Sequence, residues 1–221
     1  MSIPTSIILA SNSPRRRELL SLTGWSFVSL PADIDESPEI DEKPEAYVIR
    51  LAQEKALACQ SIKPGVILAA DTIVVLDNQL LGKPDSTEDA RRMLKALRGR
   101  DHRVMTGISF LDIETGRLEN ELCISIVPMR NYSDRELEEY VMSGDPLDKA
   151  GAYAIQHTVF HPVENFRGCF ASVMGLPLCH LQRLADRFGL SVSGSLVPEC
   201  EKLNRYICPI HHQIKEGAAV G

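Results

Sequence analysis

The segment from Val66 to Leu76, VILAADTIVVL, constrains the fold more than any other part of the sequence. Its apolar residues form an almost continuous run, which is typical of a strand buried on both faces of a sheet. Only Asp71 and Thr72 interrupt the run. A buried carboxylate must be paired, hydrogen-bonded or metal-bound, so Asp71 either caps the local backbone or takes part in catalysis. Catalysis is the preferred interpretation.

A strand, a turn and a helix start are predicted near the beginning of the chain. Ile7 to Leu9 suits a short buried strand, Ser13 a helix N-cap and Pro14 the first helical position. Three arginines follow at 15–17, although the helix dipole favours acidic residues in a first turn. Backbone N–H groups at a helix start stabilise an anion, so the stretch predicts a phosphate site. A solvated basic helix end is the alternative, and this stretch alone leaves both open.

Hydrophobic periodicity along the rest of the chain predicts an α/β fold, with flanking helices on a mixed twisted sheet. A hairpin turning at 114–117 makes the sheet mixed rather than wholly parallel. Further strands are expected within 25–30 and after Gln156. The predicted helices cover 44–60, 86–97, 133–143 and 176–188.

The length of 221 residues suits one sizeable core with a short appendage. We expect the domain to span 1–189 and a C-terminal tail to span 190–221. The tail loses clear hydrophobic periodicity and ends in small residues, as a mobile tail or linker does. Its Cys and His residues raise the question of zinc, but their spacing matches no common finger pattern; they are Cys200, Cys208, His211 and His212.

Charge and composition exclude several classes of function. A net charge of -6 and a sequence pI near 5.5 argue against a non-specific nucleic-acid binder, which needs a basic excess. The first ten residues lack a basic region followed by a long apolar core, and the apolar runs elsewhere are interrupted, so we expect a cytoplasmic protein that does not enter membranes. The six cysteines include no C-x-x-C pair and are expected to be reduced and buried.

Two lysines and an acidic loop add further candidate groups. Lys55 falls on the apolar stripe of the helix predicted over 44–60, where it either extends its ammonium to solvent or points into a cleft. Lys83 lies on a loop before Pro84. The acidic loop over 33–42 contains Glu36 and is either solvated or includes a metal ligand.

Together these groups fit metal-assisted attack on a polyphosphate. Such hydrolysis needs cations to offset the phosphate charge, a divalent metal that bridges oxygens, and a carboxylate that holds the metal or takes a proton from water. Neither G-x-x-x-x-G-K-[ST] nor G-x-G-x-x-G occurs, so any nucleotide site is built differently from the two commonest phosphate cradles. No G-x-S-x-G motif is present, which disfavours a serine hydrolase, although the sequence leaves separated triads open.

Six motifs in fixed order resemble those of the Maf family of nucleoside triphosphate pyrophosphatases. They span about residues 6–189 and read ASNSPRRRELL, DES, AQEKA, AADTIV, LGKP and DKAGAYAIQ. The resemblance implies a mixed α/β fold similar to that of the inosine triphosphate pyrophosphatases, with two lobes around a cleft and often a homodimer. It also implies cleavage of a nucleoside triphosphate to the monophosphate and pyrophosphate with a divalent metal, Mg²⁺ or Mn²⁺.

The resemblance also implies roles for particular residues. Glu36 and Asp71 would serve metal and water, and Asp71 matches the family's proton acceptor. Arg15, Thr72 and Gln156 match the specificity positions of the branch that acts on dTTP and UTP rather than on 7-methyl-GTP. The triphosphate would contact Ser11, Arg15, Arg16, Lys55 and Lys83.

Two other classes of function remain at this stage. The older family name refers to septum formation, which suggests a nucleotide-binding regulator of cell division. The chain could also be an acidic interaction domain in which the motifs are incidental. The presence of both Asp71 and Glu36 favours an enzyme, because a pure sensor needs phosphate-binding cations but no carboxylate to activate water. A housekeeping role in the nucleotide pool follows from that preference.

Overall fold

A six-stranded mixed sheet with helices on both faces forms the centre of the computed structural model, which describes residues 7–59, 65–218 and 221. The strands are β1 (Ile7–Leu9), β2 (Phe27–Ser29), β3 (Val66–Leu76), β4 (Gln79–Leu81), β5 (Asp101–Asp112) and β6 (Leu118–Pro128). The α-helices of this part of the chain are α1 (Pro14–Ser21), α2 (Pro44–Ala58), α3 (Thr87–Leu97), α4 (Asp134–Met142), α5 (Phe170–Val173), α6 (Leu178–Arg187), α7 (Leu196–Asn204) and α8 (His211–Lys215). The predicted mixed α/β fold is confirmed.

The pairing of β3 explains where the cleft lies. The strands of the sheet follow the order β2-β1-β3-β5-β6, and β4 also pairs with β3. Along one side of β3, β5 pairs in antiparallel fashion with residues 66–75. Along the other side, β1 pairs with 66–68 and β4 with 74–76. Residues 69–73 have no strand neighbour on that side within the described residues, so the sheet is open there.

Two large groups of buried apolar side chains lie on one face of the sheet, on either side of this opening. One includes Leu68 and Ala70 of β3 together with the apolar face of α6. The other includes Val74 of β3 together with buried side chains of α3 and α4. Thr72 points to the same face between them, because side chains alternate along a strand. The two groups form the cores of the predicted two lobes.

Helix α2 covers the opposite face, and a glycine allows it to lie close to the sheet. Gly107 of β5 is the register partner of Asp71. A Cβ atom at position 107 would lie 2.6 Å from the backbone oxygen of Val48 in α2, which is closer than real Cβ contacts allow. The missing side chain therefore lets α2 approach β3 and β5 beside the carboxylate of Asp71.

Two predicted helix starts are confirmed by their hydrogen bonds. The Ser13 side chain accepts a bond from the backbone N–H of Arg16 at the start of α1, where Pro14 is the first residue. At the start of α4, Ser133 and Glu136 form a reciprocal capping box. Each side chain satisfies a backbone N–H that would otherwise have no partner in the helix.

The prediction of a strand after Gln156 was wrong. The described residues there form only an isolated bridge between Met129 and Val163. His161 and Asn165 have positive φ angles, which interrupt an extended backbone on both sides of that bridge. Conversely, β4 was not predicted, since its three residues are too few to show an alternating pattern. The predicted helix end at Gln60 lies outside the described residues.

The expectation of an irregular tail was also wrong for 196–215, which contains α7 and α8. Leu196, Val197 and Ile214 are buried, so both helices cover apolar surface of the domain. The Arg183 guanidinium of α6 donates to the Ile214 backbone oxygen at 2.8 Å. These helices have nine and five residues, which is too short for a clear hydrophobic periodicity. None of the described helices is both long enough and apolar enough to cross a membrane.

Candidate active site

The opening beside β3 is a cleft of about 660 Å³. Its walls come from the start of α1, the acidic loop before α2, the middle of β3, the loop after β4 and the segment after α4. All the residues predicted for substrate, metal and catalysis line it: Ser11, Arg15, Arg16, Glu36, Lys55, Asp71, Thr72, Lys83 and Gln156. The structure therefore brings together groups that are separated by up to 145 positions in the sequence.

Two carboxylates meet on one ammonium in this cleft. The Nζ atom of Lys55 lies 2.5 Å from Oδ1 of Asp71 and 2.6 Å from Oε1 of Glu36. Lys55 and Asp71 are each only 8% exposed, whereas the Glu36 side chain is 55% exposed. Lys55 thus points into the cleft, and Asp71 pairs with it instead of capping the backbone. The pairing of a buried charge with an opposite charge offsets part of the cost of its burial.

Arg16 joins three walls of the cleft. Its Nε donates to the Gly175 oxygen at 2.9 Å, Nη1 to Oγ of Ser11 at 3.3 Å, and Nη2 to Oγ1 of Thr72 at 3.2 Å. The planar fork of guanidinium donors suits such a set of separate acceptors. Burial lowers the pKa of Arg16, while the charge of Asp71 acts in the opposite direction. Its hydrogen-bond partners are neutral, and within the described residues no carboxylate forms a salt bridge with it.

The neighbours of Thr72 fix which hydrogen bond its hydroxyl donates and which it accepts. Thr106 donates its hydroxyl hydrogen to the Ser172 backbone oxygen at 2.8 Å, since a carbonyl can only accept. Thr106 must therefore accept the 3.0 Å bond from Thr72. Thr72 also accepts from Arg16, so its hydrogen and one lone pair are used. One acceptor position remains for a ligand in the cleft.

The cations of the cleft fall into two classes. Lys55 and Lys149 are buried and paired with carboxylates. Arg15, Arg16 and Lys83 form no salt bridge with any of the residues that the structure describes. Three uncompensated cations around one cavity favour an anionic ligand of several charges. The N-terminus of α1, which has no acidic residue in its first turn, adds to that preference.

The donor set suits a divalent cation that is shared with a ligand. Within the described residues there is no group of three or more His, Cys, Asp or Glu side chains arranged to hold a metal, and this includes the C-terminal residues considered for zinc. Glu36 and Asp71 nevertheless direct oxygen atoms at a common point that a cationic group occupies. Mg²⁺ is commonly held by one or two carboxylates together with water and substrate phosphates. The two carboxylates fit that arrangement.

Tyr47 supports the site but was missed in the sequence analysis. Its hydroxyl donates to the Glu36 backbone oxygen at 2.6 Å and so fixes the acidic loop against α2. Burial raises the pKa of Tyr47, and the charges of Asp71 and Glu36 raise it further. Tyr47, Leu51 and Lys55 are spaced by four residues and share one helix face. The four-residue spacing from Lys55 was the sequence signal that could have placed Tyr47 in the site.

The segment after α4 forms the wall that carries Gln156. It contains two short 3₁₀ turns, Asp145–Asp148 and Ala150–Ala152. Between them the buried Lys149 lines the cleft, and it too was missed as part of the site. Gly151 has a φ of 69°, and its N–H donates to the Gly82 oxygen at 3.0 Å. The wall with Gln156 is thereby attached to the residue before Lys83.

The family model and the sequence relatives indicate one family. A family model described as Maf-like protein matches residues 6–188. A dTTP/UTP pyrophosphatase of Myxococcus xanthus is 47% identical over 188 residues, which cover 84% of this chain and 94% of that protein. A protein of the same description from Thermomicrobium roseum is 42% identical over 212 residues, which cover 93% of this chain and 94% of that one.

Solved structures give partial overlaps. The Staphylococcus aureus Ham1 protein has a TM-score of 0.42 and 14% identity, covering 57% of this chain and 72% of its own. A nucleoside-triphosphatase / dITP/XTP pyrophosphatase from Mycobacterium abscessus has a TM-score of 0.37 and 16% identity, and the overlap covers 57% of this chain and 75% of that one. Both overlaps are low, and the strand pairing of the sheet defines the fold of this chain.

Proposed function

The chain belongs to the Maf-like protein family, and on that premise we propose that it hydrolyses dTTP and UTP to the nucleoside monophosphate and pyrophosphate. Related modified pyrimidine nucleotides belong to the same proposal. The observation that carries it is the combination, in one cleft, of three uncompensated cations with a carboxylate pair. Removal of unwanted pyrimidine nucleotides from the nucleotide pool is the proposed physiological role.

The triphosphate binds at the cationic wall. Arg15 and Arg16 belong to the first turn of α1, and Lys83 lines the same cleft from the loop after β4. Their charges offset those of the phosphates, and the N–H groups at the start of α1 add hydrogen-bond donors. Ser11 holds the turn before α1, because its Oγ accepts from the Ser13 N–H at 3.1 Å as well as from Arg16.

The reaction is an attack of water on the α-phosphorus. A bond forms from the water oxygen to phosphorus, the bond from phosphorus to the α–β bridging oxygen breaks, and pyrophosphate leaves with the electron pair. Asp71 accepts the proton that the water loses, and Glu36 stands beside it as the second carboxylate. Lys55, for which the resemblance implies a triphosphate contact, instead holds both carboxylates in place in this proposal. The arginines with Lys83 stabilise the charge that develops on the leaving pyrophosphate.

A divalent cation, Mg²⁺ or Mn²⁺, belongs to this proposal. Glu36 and Asp71 are the residues that would hold it. When bound, such an ion polarises phosphate oxygens as a Lewis acid. Asp71 and Glu36 therefore have both metal-binding and catalytic roles in the proposed reaction.

Thr72 and Gln156 select the base. The acceptor position left on the Thr72 hydroxyl complements the N3–H of uracil and thymine, which is a donor. The amide of Gln156 offers both a donor and an acceptor to the same edge. Cytosine presents an acceptor at N3 and leaves the Thr72 lone pair without a partner. A site that hydrogen-bonds one base discriminates against another by leaving its own groups unpaired.

A substrate screen with product analysis tests this function. Purified protein with Mg²⁺ or Mn²⁺ is incubated with dTTP, UTP, CTP, GTP and 7-methyl-GTP, and the products are separated. We expect the highest kcat/KM for dTTP and UTP, a lower value for CTP, and monophosphate with pyrophosphate as products. Release of diphosphate with inorganic phosphate, or equal kcat/KM for GTP or 7-methyl-GTP, would contradict the proposal. The homodimer and the cytoplasmic location stay predictions, which size-exclusion chromatography and cell fractionation test.

A further inference from the structure

A buried tyrosine lies directly beneath the cleft wall that carries Gln156. The hydroxyl of Tyr140 in α4 donates to Oδ2 of Asp145 at 2.7 Å and accepts from the backbone N–H of Ala154 at 3.0 Å. Its ring stacks on Phe160 with centroids 4.2 Å apart. Tyr140 is 3% exposed and does not line the cleft. Its hydroxyl therefore contacts the wall at two points before Gln156, and its ring contacts Phe160 after Gln156.

The partner of that hydroxyl is part of a closed ionic network. Lys149 donates to the backbone oxygen of Asp145 at 2.6 Å, to Oδ1 of Asp145 at 3.0 Å and to Oδ1 of Asp148 at 2.6 Å. Burial acts to raise the pKa of Asp145, but the hydrogen bonds from Tyr140 and Lys149 outweigh it and the pKa is lowered. Asp145 is thus an ionised acceptor between Tyr140 and Lys149.

The network also reaches the phosphate-binding side of the cleft. Lys149 stands two residues before Gly151, whose N–H donates to the oxygen of Gly82. A Cβ atom at position 151 would lie 3.0 Å from methyl groups of Val74, so this contact is close. One segment consequently carries Gln156 and contacts the loop of Lys83.

We propose that Tyr140, acting through Asp145 and the Ala154 amide, is a positioning residue that sets the place of Gln156 and thereby the choice of base. The inference rests on the proposed function of the cleft. Substrate discrimination depends on the exact placement of hydrogen-bonding groups, which a supporting shell provides. Loss of the Tyr140 hydroxyl leaves the stacked ring in place but releases Asp145 and the Ala154 amide, so Gln156, two residues after Ala154, loses its fixed position.

Tyr132 provides a matched control. It is 1% exposed, belongs to the same apolar core, and its ring centroid lies 4.7 Å from that of Phe160. Its hydroxyl also makes a buried bond, to the Leu94 oxygen of α3 at 2.6 Å. Tyr132→Phe therefore removes a buried hydroxyl near Phe160 without touching the bonds to Asp145 and Ala154.

The first test compares the two variants in the full-length protein. The ratio of kcat/KM for UTP to that for CTP, the pair of bases that differ in the hydrogen bonds argued for Thr72 and Gln156, is measured for wild type, Tyr140→Phe and Tyr132→Phe. We expect Tyr140→Phe to lower the ratio by about fivefold or more, which corresponds to one lost hydrogen bond, and Tyr132→Phe to change it by less than twofold. A ratio that falls equally in both variants would show a general structural effect and overturn the inference.

The second test does not depend on activity. Amide hydrogen exchange is followed by mass spectrometry in peptides covering 150–156 and, for comparison, 90–97. Tyr140→Phe should speed exchange in 150–156, because the Ala154 N–H loses its acceptor, while Tyr132→Phe leaves that peptide unchanged. Unchanged exchange in 150–156 of Tyr140→Phe overturns the positioning role. Absence of nucleotide hydrolysis by the wild type would instead contradict the proposed function, and the exchange result then still decides whether Tyr140 fixes this wall.

Discussion

Replacing Arg16 with lysine tests whether the guanidinium organises the cleft in addition to supplying charge. The three acceptors of Arg16 belong to Ser11, Thr72 and Gly175, which lie on separate parts of the fold. Lysine keeps the positive charge, but its single ammonium cannot reach all three acceptors. Because one nitrogen atom replaces the three donor nitrogens of Arg16, we expect two of the three hydrogen bonds to be lost in Arg16→Lys.

The size of the effect follows from the number of lost bonds. Each contributes about 0.5–1.5 kcal/mol, so two contribute roughly 1–3 kcal/mol. Because about 1.4 kcal/mol corresponds to a factor of ten, kcat/KM for UTP should fall by about 5- to 150-fold. A larger share of the loss should appear in KM than in kcat, because the charge that stabilises the leaving pyrophosphate is retained.

The adjacent arginine is the control for this experiment. Arg17 is exposed, and among the described residues its guanidinium donates only to the Asn12 backbone oxygen, at 3.0 Å. Arg17→Lys makes the same chemical change on the same helix, and steady-state kinetics with UTP should change by less than twofold. Equal kcat/KM values for the two variants would refute the idea that the Arg16 fork orders the cleft.

Three further variants test the phosphate wall, the C-terminal helices and the buried histidine of α6. Lys83→Ala should raise KM for UTP by about tenfold, as expected for the loss of one charged contact. An unchanged KM would show that Lys83 does not contact the phosphates. Ile214→Ala should lower the free energy of unfolding, measured by urea titration, by roughly 2–5 kcal/mol. It should leave kcat/KM unchanged, because α8 does not line the cleft. A lowered kcat/KM in the folded variant would contradict this. Burial lowers the pKa of His180 from 6.5 to about 4. Between these two pH values only the unfolded chain binds the proton, so the free energy of unfolding falls as the pH drops through this window. The total decrease across the window is about 3 kcal/mol. His180→Leu should flatten this part of the stability profile, and an unchanged slope would show that other groups cause it.

Much of the fold was predictable from local signals. The buried run of β3, the Ser13 N-cap with Pro14, and the capping box of α4 are short patterns with a direct physical cause. The C-terminal helices gave no such signal, because each is stabilised by apolar contacts with the domain rather than by its own periodicity. The strand expected after Gln156 failed because positive φ angles there are a property of the tertiary arrangement.

The candidate site was predictable as a set of residues but not as a geometry. The sequence motifs identified Glu36, Lys55 and Asp71, yet nothing local shows that one ammonium bridges both carboxylates. That contact depends on Gly107, which allows α2 to approach the sheet at the register position of Asp71. The positioning network of Tyr140 was likewise inaccessible from sequence, because it joins a helix to a backbone amide fourteen residues later.

The most direct test of the proposed chemistry is the comparison of catalysis and binding in Asp71→Asn. Asparagine nearly preserves the shape of the side chain but removes its charge and basicity. With Mg²⁺ or Mn²⁺ and UTP, kcat should fall by about 100-fold or more, while calorimetry shows that the triphosphate still binds and thermal unfolding shows that the variant is folded. A near-normal kcat in Asp71→Asn would contradict the assignment of Asp71 as the proton acceptor and would make Glu36 the better candidate.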